Sequence, residues 1–583
     1  MPWTLPPLRA LALVAAASGL ALTLAPARAS ACGGLFCDFS GPGGMPTPVD
    51  QTGENILFVV DRDEGTVEAQ IQIQYMGDPI NFAWVIPVTA IPDFAVGSEL
   101  LFTNLLAGTV PTYGFTTNFD CQMRDRPGVG CGSFDAVAEG GDSGFFDTDG
   151  VGATTDGTTG GPQIVKREIV GAYEIVVLQG GTAQELYEWL DQNGYAQDDD
   201  APPILAEYLA EGYFFAAAKL VHGAGIDQLQ PLVMKYKGDR PCVPLRLTRI
   251  AAAEDMPIRV FALGDHRFAP MGYRHVELND VRLDWINSAT NYTEVVANAI
   301  DAAPDGQAFI TEYAGDSSVV SDSGLYSLKW DSSIFVGAEP ITADDYSIID
   351  ALTTQGLMEC YEGFGCSYTH PLLLPILRTY LPTPTGIAED DFYACMSCYE
   401  GLIDLAAWDG AKFAADLEER VIAPGRHARD LLARWPKVTR MLTIMSPHEM
   451  TADPEFIENP DLPDLAAART ATDNFPCSGS NKWDLPSEIA LLDDGAGGWP
   501  TFDASMPWAR EVQVIAPSGA PQVETSFVEA IEDAVRASNK RFDYDDGTGL
   551  NCAVRSLRSS WLGALSLGLV LGIAWRSRRR RAA

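Results

Sequence analysis

From Val67 to Tyr75 apolar and polar residues alternate without a break: Val67, Ala69, Ile71, Ile73 and Tyr75 in one register, Glu68, Gln70, Gln72 and Gln74 in the other. A period of two puts each set on its own face of an extended chain, and a helix cannot hold that pattern. The segment predicts a half-buried strand. The run Ile56-Leu-Phe-Val-Val60 before it is apolar throughout and predicts a buried strand. A third strand is expected over Phe82-Ala-Trp-Val-Ile-Pro87, stopped by Pro87, with Gly77-Asp78-Pro79 as the turn before it.

Helical spacing follows at Leu186, Trp189 and Leu190, with Asn193-Gly194 as the stop. Strands are expected again at Tyr213 to Val221, Leu229 to Tyr236, Val243 to Ile250 and Ile258 to Leu263. Tyr75-Met-Gly-Asp-Pro and Tyr236-Lys-Gly-Asp-Arg-Pro are alike, which duplication and chance explain equally well. Beyond residue 285 the spacing is mostly helical, near 290–302, 343–355, 389–422, 426–445 and 525–538, with some β near Tyr326 to Val336 and Glu511 to Ile515. Pro447, Pro454, Pro460 and Pro463 make an ordered loop region there. The reading is an α+β body: a β-rich domain over 32–285, with a Gly/Asp/Thr-rich insertion at 138–162, and a mainly helical domain over 286–545 with a Pro/Gly-rich return. Asp147-Thr-Asp149-Gly150 and Asp543-Tyr-Asp545-Asp546-Gly547 place Asp before Gly as calcium loops do. They lack a distal Glu, so solvated acidic loops are expected.

The two ends carry targeting grammar. Residues 1–31 read as a signal peptide: Arg9, an uncharged apolar run from Ala10 to Leu24, and small-x-small sites at Ala27-Arg28-Ala29 and Ala29-Ser30-Ala31. Ordinary cleavage is expected; the alternatives are a lipid on Cys32 and an uncleaved anchor helix. At the other end a linker from 546 holds Cys552, and Arg555 and Arg558 precede the apolar run Trp561 to Trp575. Arg576 and Arg578 to Arg581 follow it. Counted over about 557–575 this run reaches roughly 28 Å, enough to span a membrane with Arg558 snorkelling. The Arg cluster then stays cytoplasmic and the body lies outside. These ends hold nine of the 39 basic residues and no acidic ones, so the body carries a formal charge of −49 where the whole chain carries −40. Such a surface excludes general nucleic-acid binding and suits solubility.

An extracytoplasmic body makes disulfides the expected state of the ten cysteines outside the tail: Cys32, Cys37, Cys121, Cys131, Cys242, Cys360, Cys366, Cys395, Cys398 and Cys477. Cys32–Cys37 and Cys121–Cys131 are expected as local loops, and Cys242 and Cys477 are left to join distant segments. Cys360, Cys366, Cys395 and Cys398 form a local four with three connectivities open. Structural disulfides are expected for this group; a four-thiolate zinc site and a redox-active Cys395-Met-Ser-Cys398 are the alternatives.

Other constellations are weaker. His448-Glu449 is half of a zinc-protease signature, but residue 452 is Ala and prolines flank it, so a polar loop is expected. His222, His266 and His275, with Asp265 and Glu277, could ligate a metal only if brought together, and ordinary hydrogen-bonded histidines are expected. Lys235, Lys237, Arg240, Arg246 and Arg249 form a basic patch that is expected to balance the acidic helices rather than to bind an anion. No nucleophile elbow, Walker A loop or Rossmann fingerprint occurs. No catalytic residue, metal or cofactor is assigned, and enzymatic activity is left open, leaning against.

Two resemblances add to this. The order Cys552, short apolar helix, Arg run resembles the MYXO-CTERM class of bacterial surface-sorting tails. It implies cleavage near Cys552 by sorting machinery; a permanent tail anchor is the alternative. The body resembles the bacterial domain-of-unknown-function family 2330. The stretches that carry this are Ala31-Cys-Gly-Gly-Leu-Phe-Cys37, Pro48-Val-Asp-Gln-Thr-Gly-Glu54, Ile71-Gln-Ile-Gln-Tyr75 and Phe82-Ala-Trp-Val-Ile-Pro-Val88. Others are Trp189-Leu with Asn193-Gly-Tyr195, Pro241-Cys-Val-Pro-Leu-Arg-Leu-Thr248, Tyr273-Arg-His-Val-Glu-Leu-Asn279, Thr311-Glu-Tyr-Ala-Gly315 and Met445-Ser-Pro-His-Glu-Met450. This resemblance implies a secreted or envelope protein and supplies no catalytic residues. The expectation is an extracytoplasmic, membrane- or surface-anchored binding or scaffolding module, held to the membrane by its C-terminal helix. The rival is a secreted hydrolase or thiol-redox enzyme with a site assembled from scattered residues.

Overall fold

The structure is a computed structural model and describes residues 35–36, 50–76, 83–119, 161–195, 200–221, 229–340, 347–361, 365–476, 480–493 and 498–542. The expected signal peptide, Cys32, Cys37, Cys121, Cys131, His222, Cys477, both Asp-Gly loops, Cys552 and the apolar tail segment lie outside these residues, as does nearly all of the 138–162 insertion. Among the described residues no helix is long and apolar enough to cross a membrane.

The fold is α+β. Its centre is a ten-stranded mixed sheet in the order Gln522–Ser526, Ala509–Val514, Arg274–Leu278, Ala308–Asp316, Lys437–Met445, Met256–Gly264, Asp50–Asp61, Thr66–Met76, Leu232–Lys237, Asp93–Val96. These strands come from both sides of residue 285. A second sheet orders Leu35–Phe36, Ala83–Val88, Phe214–Leu220, Tyr173–Gln179 and Gln163–Val170. The two sheets face each other. Ile56, Phe58, Val67, Ala69, Ile71 and Val260 of the large sheet pack on Trp84, Ile86, Ile175, Val177 and Ala218 of the small one.

Helices cover both outer faces. Ala183–Gln192 and Ala201–Glu211 bury Leu186, Leu190, Ile204 and Tyr208 against Val85, Val176 and Phe215. The first of these starts at a capping box, Thr182 with Glu185, which satisfies two orphan donors reciprocally. On the far side of the large sheet, Glu99–Thr109 and Ala423–Arg434 cover Leu57, Val59, Phe261 and Leu263, and Tyr292–Ile300 covers Leu442, Ile444 and Ile310. Because both faces are covered, Ile56 to Val60 is apolar at every position. A helical unit between Trp330 and Ile422 has its own core. A four-stranded sheet, Ala490–Asp493, Asn481–Asp484, Ala468–Phe475 and Thr112–Phe119, packs with Val528–Asn539.

Several local expectations are corrected. The polar face of Thr66–Met76 is not all solvent-facing: Glu68 and Gln70 are buried, so the first half of this strand is covered on both sides, while Gln74 is exposed. Pro87 does not stop its strand, which runs to Val88. Among the described residues, Leu35–Phe36 pairs with Ala83 and Trp84, and Pro87 lies beyond that pairing. Val243 to Ile250 holds a short helix, Leu245–Thr248; Pro244 caps it and its carbonyl accepts from Thr248. Tyr326 to Val336 contains a 3-10 turn, Ser332–Gly337, because the Asp331 side chain accepts from Ser333 N and offers the backbone a local partner. The helix expected over 426–445 ends at Arg434. Pro436 forces Trp435 into an extended conformation, and Lys437–Met445 continues as a central strand.

Candidate functional site

The stretches Pro241 to Thr248 and Met445 to Asp453 meet at one end of the space between the two main sheets. Cys242 bridges to Glu455, and Val243 N donates to Pro454 O at 3.2 Å. This places Asp453 against Arg246. One Asp453 oxygen accepts from Arg246 N (2.9 Å); the other accepts from Arg246 Nε (2.9 Å) and from the Tyr208 hydroxyl (2.8 Å). The Arg246 guanidinium lies 4.2 Å over the Tyr208 ring and its two terminal nitrogens grip Glu211 at 2.7 and 2.8 Å, with Glu207 at 3.5 Å. Burial holds the Asp453 carboxyl above its usual range despite these donors. The basic patch therefore balances acids: Arg246 those of Ala201–Glu211, Arg240 Glu455, and Lys235 Glu64.

Beside this cluster is a cavity of about 40 Å³, with Ile56, Phe58 and Met234 on its floor and Tyr213, Tyr236 and Cys242 on its walls. Small-molecule sites occupy several hundred cubic ångströms, so this void takes a water or the tip of a side chain. Cys242 carries a free thiol, which corrects the expectation of a long-range disulfide from this residue. Burial, then the charges of Asp453 and Glu455, push that thiol far above the ordinary range. Its weak contact is Val243 O, at 3.8 Å. The thiolate is the reactive species, so native Cys242 is expected to react with a thiol reagent at least about a hundredfold more slowly than after unfolding. Stopped-flow Ellman kinetics with and without denaturant check this; equal rates would contradict the burial.

The local four cysteines pair as Cys360–Cys366, across the hairpin Met358–Tyr361 and Gly365–Tyr368, and Cys395–Cys398, at the start of a 3-10 turn. All four thiols are used, so none is left as a thiolate for zinc. Gly365, at φ +86°, brings this hairpin against Ala394, where a Cβ would meet the Ala394 carbonyl at 3.1 Å.

Of the three histidines, His222 lies outside the described residues. Among the described residues no group of three or more His, Cys, Asp or Glu could hold a metal ion. His275 is interior and sits in a chain of bonds: Arg267 Nη2 donates to Thr311 Oγ1 (3.1 Å), Thr311 faces His275 Nε2 (3.0 Å), and His275 Nδ1 faces Gln513 Oε1 (3.3 Å). The Gln513 amide nitrogen donates to Glu277 and Glu511, so its oxygen accepts from Nδ1–H and Nε2 is the acceptor for Thr311. Burial, then Arg267, takes the His275 pKa down to about 4. Asp265 and His266 donate their backbone N–H groups to Glu458. His448 and Glu449 occupy a turn that Glu449 closes by accepting from Ser446 N at 2.7 Å.

The periodicity gave no sign of a joint between the helical unit and the sheets. The helix through Gly410–Leu417 and Ala423–Arg434 widens to a π turn at Glu418–Ile422. Pro424 has no N–H to give Arg420 O, and the Gln230 amide donates to that carbonyl instead (2.8 Å). Gln230 also accepts from Arg420 Nε (3.1 Å), while its backbone carbonyl accepts from the Tyr173 hydroxyl (2.6 Å). At Gly425 a Cβ would lie 1.8 Å from Leu325 O, so only glycine fits. His427 Nε2 meets buried Glu68 Oε1 at 2.8 Å. Burial alone raises Glu68; the His427 bond and charge outweigh it and hold the carboxyl low, and the same contact raises His427 against its own burial.

A family model described as an uncharacterized protein conserved in bacteria (DUF2330) matches residues 26–336, more than half of the chain. No curated protein matches. Solved structures of baculovirus P35 show a faint likeness. A mutated P35 after caspase cleavage is 13% identical over 37% of this chain and 67% of its own, with a TM-score of 0.21. Another P35 structure is 12% identical over 38% and 66%, with a TM-score of 0.20. Such scores carry nothing about fold or function. On the match over residues 26–336, the chain belongs to the DUF2330 family of uncharacterized bacterial proteins.

Proposed function

We propose that this protein is an exported, membrane- or surface-held module that binds or scaffolds a partner outside the cytoplasm. The observation that carries the reading is the helical unit between Trp330 and Ile422. Its four cysteines are oxidised in pairs, Cys360 and Cys398 at exposed positions. Exposed disulfides persist in oxidising compartments. The same unit leaves Ile334, Val336, Leu402 and Leu405 more than half exposed. Gly410 packs on the carbonyls of Phe335 and Val336, and Trp408 Nε1 donates to Ala338 O (2.9 Å), which brings the segment after Leu405 beside Ile334 and Val336. Grouped apolar side chains on a strongly acidic body are a recognition feature rather than a solubility one. The tail would hold the body to the membrane, or be cut near Cys552 during surface sorting.

Fractionation of the native cells with non-reducing peptide mapping and mass spectrometry of both termini tests this. The expected result is envelope or surface protein lacking residues 1–31, with Cys360–Cys366 and Cys395–Cys398 intact. Reduced cysteines in a cytoplasmic protein that starts at Met1 would overturn it, and an intact Ala583 on surface protein would refute sorting while leaving the anchor.

A further inference from the structure

On the helix-covered face of the large sheet, the cover divides at Arg259. Its strand neighbours on the same face are Asn55 and Leu442. Leu442 lies under Tyr292–Ile300, while Asn55 joins the start of Glu99–Thr109 through Gln72. That link fixes the Asn55 amide. Gln72 Nε2 donates to Glu99 Oε1, so Gln72 Oε1 must accept, and it takes Asn55 Nδ2–H at 2.7 Å. Asn55 Oδ1 then points away with no partner, on a side chain that is 0% exposed. Arg259 Nε is likewise buried without an acceptor, and its guanidinium forms no ion pair among the described residues. The neighbouring charges do not balance: Arg440 is already committed to Glu312 and to Leu106 O, and Tyr292 donates to Glu312. Two guanidiniums, Arg259 and Arg440, share the one Glu312 carboxylate. An unpaired buried donor and an unpaired buried acceptor on paired strand positions both disfavour the fold unless something bridges them.

We propose that this seam binds a protonated oxyanion of the hydrogen-phosphate type. Its oxygens would accept from the Arg259 fork, supplying the missing negative charge, and its O–H would donate to Asn55 Oδ1. A fully deprotonated oxyanion satisfies Arg259 only and leaves Asn55 stranded. The selectivity follows from that difference.

Calorimetric titration of the full chain near pH 7 with inorganic phosphate, sulfate and a phosphate monoester tests it. Phosphate is expected to bind at least about tenfold more tightly than sulfate, which has no O–H at this pH, and more tightly than the mostly dianionic monoester. Tighter binding of the monoester would assign the seam to phosphorylated ligands and overturn the protonated-anion form. Arg259→Gln should weaken phosphate binding about tenfold or more. Should that variant fail to fold, Arg259→Lys keeps the charge and loses the two-pronged donor, and is expected to weaken binding in the same direction. Equal response to phosphate and sulfate, or no phosphate heat in a folded protein, would mean that only water bridges Arg259 and Asn55, and would overturn the proposal.

Discussion

Arg440→Met is expected to destabilise the fold by about 3–5 kcal/mol, the cost of leaving one member of a buried ion pair without its partner. Arg440 sits on Lys437–Met445, in the middle of the large sheet, and Glu312 in a bulge of Ala308–Asp316 beside it. Their side chains are 5% and 1% exposed. Arg440 also donates to Leu106 O and lies over the Phe261 ring, so it ties helix Glu99–Thr109 to the sheet. Glu312 accepts from Tyr292, at the start of the helix on the other side. Removing Arg440 leaves a buried carboxylate that keeps the Tyr292 hydroxyl as a donor but loses its ion-pair partner, with Arg259 the remaining nearby cation. The double variant Arg440→Met/Glu312→Gln is expected to recover much of the loss, since it strands no charge. Urea denaturation of these two variants and of Glu312→Gln alone gives the coupling. A loss under about 1 kcal/mol for Arg440→Met would show that water reaches the pair.

Glu54→Gln is expected to stabilise the protein at pH 8 by about 3 kcal/mol and to do almost nothing at pH 4. Glu54 is 3% exposed and its carboxyl has Gln51 as its side-chain partner, at 3.4 Å. Burial raises its pKa from the ordinary 4.5 to about 7. The sign follows from which form the fold prefers. The folded protein holds Glu54 protonated, so its contribution is complete below pH 4.5 and is lost as pH rises through 7. Glutamine keeps the shape without the ionisation, so the wild-type decline in stability between those values should flatten in the variant. Denaturation midpoints at three pH values measure it; parallel pH profiles for the two proteins would contradict a neutral buried Glu54.

Both residues show where sequence reading stops. Glu54, Glu312 and Arg440 belong to strands whose local pattern is ordinary. A charged residue in a strand reads as solvent-facing unless something covers it, and the cover comes from elsewhere: the helix Glu99–Thr109 meets Arg440 through Leu106 O across 334 residues of sequence. Glu68 and Gln70 illustrate the same point. Their place in the alternation is plain, yet His427 buries one and the Gly97 turn approaches the other. Proline misled in two directions. Pro87 sits within its strand opposite Phe215, and Pro244 started a helical turn where alternating Val243, Leu245 and Leu247 mimic a strand. Arg246 was legible as a partner for acidic helices, but its grip on Asp453 crosses 207 residues and has no local signature.

What the sequence determined by itself was periodic or adjacent in the chain: the two-residue repeat of Val67 to Tyr75, the apolar run of Ile56 to Val60, the helical spacing around Leu186 to Leu190, and hence an α+β body. Side-chain direction along a strand or helix is set by backbone geometry a few residues long, so it can be read locally. Tertiary structure alone decided which faces meet. It chose one of three pairings for the four clustered cysteines, left Cys242 as a half-buried free thiol, placed strands from both sides of residue 285 in one sheet, and brought Arg259 beside Asn55. Those outcomes depend on burial of one element by another distant in sequence, and burial is what sets the charge state and hydrogen-bonding needs of the groups beneath.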